Sequence, residues 1–100
     1  MPVAAPLMNI IMRDGTRHFL ALRETARVED IRARLEAVPG IRVCRLSRGG
    51  FEWWMSFQCM GWRFSINNPF GELWFFANDP ACPEDILHCL ARRIPMALSH

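Results

Sequence analysis

Glycine-bearing turns cut the segment from Ile41 to Ala77 into short runs, at Gly49-Gly50, at Met60-Gly61 and at Asn67-Asn68-Pro69-Phe70-Gly71. Within each run the apolar residues recur with period two. Successive side chains of a strand point to opposite faces, so each run can bury one side of a sheet. Glycine accepts the positive φ that tight hairpins demand. The pattern predicts four consecutive antiparallel strands, Ile41 to Arg48, Phe51 to Cys59, Trp62 to Asn67 and Glu72 to Ala77, and everything else in the chain must fit around that meander.

On its N-terminal side, Leu7 to Met12 and His18 to Leu22 flank Asp14-Gly15 and predict a further hairpin. Thr25 is a candidate N-cap for a helix whose apolar stripe is Val28, Ile31, Leu35 and Val38, ended by Pro39-Gly40. Glu29 with Arg32, Asp30 with Arg34 and Arg32 with Glu36 stand at the spacing of helical ion pairs. After the meander, Asp79-Pro80-Ala81-Cys82-Pro83 breaks the pattern. Pro83, Glu84 and Asp85 suit the start of a second helix, with Ile86, Cys89, Leu90 and Ile94 as its apolar face and Pro95 as its stop. The predicted order is ββαββββα: one α+β domain, an antiparallel sheet with two helices packed mainly on one face. Residues 1–6 and 96–100 are expected to be flexible. The rhythm from Ile10 to Ile41 is similar to half of a β-grasp fold, but the four-strand continuation departs from it.

At 100 residues, 51% of them hydrophobic, the chain can support one real core. All 12 basic residues are Arg and the net charge is only +2. Arg codon bias in a GC-rich, bacterial-like genome accounts for this; selection for the planar guanidinium fork is the competing account. So small a charge argues against a nonspecific nucleic-acid or membrane binder. Cys44, Cys59, Cys82 and Cys89 lack the dense spacing of a disulfide framework and read as reduced thiols. No basic leader precedes an apolar stretch, and no apolar run reaches membrane-spanning length, so a cytoplasmic location is expected.

Counting outward from tight turns separates two faces of the meander. One carries Leu46 beside Trp53, Cys44 beside Met55, Ile66 and Leu73, and Phe57 beside Phe64 and Phe75. That is the expected core face, with Arg42 in its outermost row. The other reads Arg45, Trp54, Asn67 and Glu72, then Val43, Ser56, Ser65 and Trp74, then Ile41, Gln58, Arg63 and Phe76. Aromatic and Arg side chains are favoured at interface centres, so Trp54, Trp74 and Phe76 are candidate apolar anchors, with Arg45 and Arg63 as polar contacts. Cross-strand stacking of Arg45 on Trp54 and Arg63 on Phe76, or a cover supplied by the first hairpin or a helix, would explain the same residues structurally.

Residue patterns that carry chemistry are sparse. Cys82, His88 and Cys89 are the nearest approach to a metal-ligand set, but without a Cys-x-x-Cys pair, and Cys89 also belongs to the predicted apolar stripe. His18, His88 and His100 have no local carboxylate arrangement that would orient them for catalysis. Glu29-Asp30 and Glu84-Asp85 sit where helix N-termini favour acids. No phosphate-binding glycine loop is present, and the chain has no lysine to serve one. Residues Arg48 to Phe57 resemble the aromatic strand of an RNA-recognition motif, yet Gly50, Glu52, Met55 and the order of elements depart from it.

The sequence thus predicts a small non-catalytic protein-interaction module without a cofactor or metal. It would use the aromatic and Arg face for self-association into a homodimer or for docking a larger protein. Single-stranded nucleic-acid or nucleotide binding through that face is the alternative. A small-molecule enzyme would require folding to bring His18 or His88 to a distant cysteine.

Overall fold

In the computed structural model the described residues are 7–99. Six strands and two helices follow the predicted order: β1 (Ile10–Ile11), β2 (Arg17–Arg23), α1 (Val28–Glu36), β3 (Ile41–Gly49), β4 (Glu52–Cys59), β5 (Trp62–Asn67), β6 (Glu72–Ala77) and α2 (Glu84–Leu98), with a 3₁₀ turn at Pro69–Gly71. One antiparallel sheet contains all six strands in the order β1-β2-β6-β5-β4-β3. Strand β2 thus pairs with the end of the meander, and α1 carries the chain to the far edge to begin it.

Both helices pack on the same side. Phe57, Phe64, Phe75, Met55, Ile66 and Leu73 point there and are almost wholly buried with Ile31 and Leu35 of α1 and Leu87, Leu90 and Ile94 of α2. Each such aliphatic or Phe side chain contributes about 1.5–3 kcal/mol relative to exposure. A bulge in β2 between His18 and Leu20 lets two adjacent residues, Phe19 and Leu20, both enter this core. The ring of Phe19 meets that of Phe64 edge-on at 5.9 Å.

Several sequence expectations shift. The β3–β4 turn is Gly50-Phe51 rather than Gly49-Gly50, with positive φ at Gly50, so Leu46 pairs with Met55 instead of Trp53. Cys44 is an exposed bulge residue, not part of the core. The extra residue reverses the alternation: Ile41 and Val43 join the core face opposite Cys59 and Phe57, while Arg42 moves to the other face opposite Gln58. The 3₁₀ turn lengthens the β5–β6 connection, and Ile66 pairs with Phe75 rather than Leu73.

Helix α1 buries its predicted stripe, but its N-cap is Arg27 and not Thr25. Glu29 pairs with Arg48 of β3 at 2.8 Å instead of with Arg32, while Arg32 and Glu36 do pair at 3.1 Å. Helix α2 turns Leu87, Leu90, Ala91, Ile94 and Leu98 inward, leaving Ile86 and Cys89 only half-buried. It also continues through Pro95. Leu98 is buried beyond it, and the Arg34 guanidinium of α1 donates to the Leu98 carbonyl, so tertiary packing outweighs the hydrogen bond that proline removes. Met96 to Leu98, expected to be loose, are the last turn of that helix. The expected flexible segment 1–6 and the terminal His100 lie outside the described residues. No helix of the described residues is long and apolar enough to cross a membrane.

Candidate functional site

The sheet face turned away from the helices is organised in transverse rows. Ile10, His18, Phe76, Ser65, Ser56 and Arg45 stand opposite one another across all six strands. Beside them run Ala21, Trp74, Asn67, Trp54 and Ser47. At the other side Arg63, Gln58 and Arg42 form a third row across the meander. Because the β5–β6 register is two residues from that expected, Arg63 stands level with Asn78, whose N–H donates to the Arg63 carbonyl, and not with Phe76.

The aromatic residues of this face differ sharply in access. Trp54 is 50% exposed, Trp74 is half-buried and Phe76 is only 6% exposed. Phe76 therefore belongs to the fold and not to the accessible surface, which corrects its expected role as an anchor. No helix covers it. His18, itself 3% exposed, packs its ring 5.1 Å from Phe76 and stacks on Trp74 at 4.6 Å. Trp54 stacks on the other side of Phe76 at 6.0 Å. The first hairpin turn supplies part of the cover: Met12, Asp14 and Thr16 line a hollow with Trp54, Ser65 and Phe76. That turn is fastened by Asp14, whose Oδ1 accepts from both the backbone N–H and the hydroxyl of Thr16 at 3.0 and 2.8 Å. The same two bonds hold the Asp14 carboxyl below its ordinary pKa.

His18 is the residue of this face that sequence reasoning did not single out as part of it. Its position in a hairpin strand was legible, but its placement next to Trp74 and Phe76 depends on β2 pairing with β6, a contact between distant parts of the chain. Its Nε2 lies 3.2 Å from the Leu20 carbonyl. Burial lowers the His18 pKa, opposed by the Leu20 carbonyl and by Glu72, and so favours the neutral ring. Trp74 is further fixed by its indole N–H, which donates to Glu72 at 3.1 Å.

Beside Trp54 the polar groups are serine and threonine hydroxyls, Asp14 and one base, Arg45, with Arg42 and Arg63 one row further along the same face. Arg45 and Ser47 line a second hollow with Trp54, Ser56 and Ser65. Arg42, Arg45 and Arg63 are exposed, and none of them takes part in the four salt bridges found among the described residues. The two hollows beside Trp54 hold about 180 and 100 Å³, below the several hundred Å³ of a pocket that engulfs a small organic ligand. The two shallow hollows thus lie on either side of one projecting indole.

The other sequence candidates are not gathered here. Cys82 is buried next to the start of α2, with its thiol pKa pushed up to about 11, first by burial and then by Asp79 and Asp85. Cys89 is half-buried and His88 exposed. Among the described residues no three His, Cys, Asp or Glu side chains come together as a ligand set for a metal. Arg17, buried under the N-terminus of α2, pairs with Glu84 and lowers its pKa. Comparison of the chain with protein-family models, with curated proteins and with solved structures finds no match.

Proposed function

We propose that this chain is a cytoplasmic, non-catalytic interaction module that docks a carboxylate-bearing segment of another protein on the Trp54 surface. The observation that carries the reading is the combination of one half-exposed indole with three exposed arginines, Arg42, Arg45 and Arg63, outside the salt bridges of the described residues. A fixed aromatic ring offers apolar area at little entropic cost, and guanidinium groups bind carboxylates in two places at once. Trp54 is held by Phe76 behind it, so the anchor is pre-oriented before a partner arrives.

The same face favours a protein over single-stranded nucleic acid. Stacking successive bases needs several accessible rings, whereas His18 and Glu72 engage Trp74, and Phe76 is buried. The test compares wild-type, Trp54→Ala and Arg45→Glu proteins as baits in extract from the source organism, alongside titration with a fluorescent oligonucleotide at low salt. A partner retained by the wild type and lost by both variants supports the reading. Equal recovery by all three, or tight salt-dependent oligonucleotide binding, contradicts it.

A further inference from the structure

The two edges of the sheet are built differently. The edge strand β3 carries Arg42, Arg45 and Arg48 and is broken by the Cys44 bulge. Charges and bulges of this kind keep an edge from pairing with another chain. The opposite edge, β1, lies in the uncharged sequence Leu7-Met8-Asn9-Ile10-Ile11-Met12. Ile10 and Ile11 are 48% and 57% exposed there.

The hydrogen-bond phase of β1 determines what that edge offers. The Met12 N–H donates to the Thr16 carbonyl at 2.8 Å, and Ile10 pairs with His18. Residues of an antiparallel ladder bond inward at every second position, so Ile10 and Met12 turn their backbone groups to β2. Asn9 and Ile11, between and beside them, turn theirs outward, presenting two N–H donors and two carbonyl acceptors.

We infer that β1 is the seam of a symmetric homodimer, in which a second copy of this chain pairs antiparallel with it about a two-fold axis at Ile10. In that register Asn9 of each copy faces Ile11 of the other, and these are the residues whose backbone groups have no partner among the described residues. Ile10 faces Ile10 as a non-hydrogen-bonded pair, the pair type in which side chains come closest. Met8 faces Met12, and no like charges oppose one another. A second copy thus satisfies the edge by its own geometry, where β3 would bring arginines together. The seam shares only Met12, at the rim of one hollow, with the Trp54 surface, and the variants below leave Met12, Trp54 and the arginines in place, so its test stands apart from that of partner docking. Joining the sheets would set two Trp54 surfaces on one continuous face.

Sedimentation of the full chain over a wide concentration range tests the inference, with Ile11→Pro and Ile10→Lys as variants. Proline at position 11 removes an outward donor that the monomer's own ladder does not use. Lysine at position 10 sets two like charges face to face. The wild type is expected to dimerise with rising concentration, and each variant to raise the dissociation constant about tenfold or more while keeping the wild-type circular dichroism. A wild type that stays monomeric throughout, or variants that dimerise as well as the wild type, overturns the inference. Should a variant fail to fold, Ile10→Cys in a Cys44→Ser background provides the second readout. Oxidised glutathione should link that protein into a covalent dimer, and Ile11→Cys in the same background should link far less. Equal linkage at the two positions, or none at position 10, also overturns it.

Discussion

The indole of Trp54 stacks on the ring of Phe76 across the intervening strand β5, with centroids 6.0 Å apart and planes inclined by 28°. One member of the pair is half in solvent and the other is buried. The two residues therefore divide the labour of the surface: Phe76 fixes the position of a ring that Trp54 presents.

That division predicts opposite phenotypes. Phe76→Ala should cost about 3 kcal/mol of stability through the cavity it leaves. Trp54→Ala should cost well under half of that while removing partner binding. Chemical denaturation of both variants checks the first expectation, and an equal loss of stability in the two would contradict the division.

His18 gives the fold a pH dependence of defined sign. Burial depresses its pKa in the folded protein below the ordinary 6.5, so the unfolded chain binds its proton more readily. The stabilising contribution of the neutral ring is whole above pH 6.5 and declines as pH falls from there toward the lowered folded value. Glu84, lowered by Arg17, works in a separate and more acidic window: its contribution is present above the model-peptide value of 4.5 and is lost as pH falls through its lowered folded value. Thermal unfolding from about pH 7.5 to about pH 5.5 should show a loss of stability in the wild type. In His18→Gln, whose amide can still donate to the Leu20 carbonyl, the slope should be shallower; an unchanged slope would remove His18 as its source.

Thiol reactivity should separate the cysteines by position. Cys44 is exposed in the β3 bulge, whereas Cys59 and Cys82 are buried and burial raises both their pKa values, that of Cys82 to about 11. A disulfide-exchange reagent at neutral pH should modify Cys44 first and reach Cys59 and Cys82 only on unfolding. The fastest phase should vanish in Cys44→Ser, leaving the half-buried Cys89 to react more slowly before unfolding, and an unchanged fastest phase there would contradict the exposure of Cys44.

The parts of the architecture that were legible in the sequence are those governed by local rules. Glycine turns and period-two runs located β3 to β6, and the Val28, Ile31, Leu35 stripe located α1. What escaped depends on distant contacts or on single-residue insertions. The bulge at Cys44 was not visible, so Arg42 was placed in the outermost row of the core face, where an arginine fits poorly. Asn68 read as a turn residue. It is buried, its Oδ1 accepts from the Trp53 N–H at 2.8 Å, and its Nδ2 donates to the Phe51 carbonyl at 3.0 Å and to Glu24 at 3.3 Å. Those bonds tie the β5–β6 loop to the β3–β4 turn and lengthen the loop, which moved Phe76 and Trp74 by two positions relative to β5. Of the proposed surface, Trp54, Arg45 and Arg63 were legible as members of one face, whereas Arg42 was expected on the core face. The burial of Phe76 was legible only as an alternative, a cover from the first hairpin; the packing of His18 on it was not, because it needs β2 to pair with β6, far away in the chain.

Site-specific photo-crosslinking measures the central claim most directly. Benzoylphenylalanine is placed at Ser47, which stands opposite Trp54 across β3 and β4, or at Arg92, exposed on α2. Irradiation in cells of the source organism should give one discrete protein adduct from position 47, none from position 92, and loss of that adduct when Trp54→Ala is added. Adducts that are the same from both positions, or that survive Trp54→Ala, would contradict docking on the Trp54 surface.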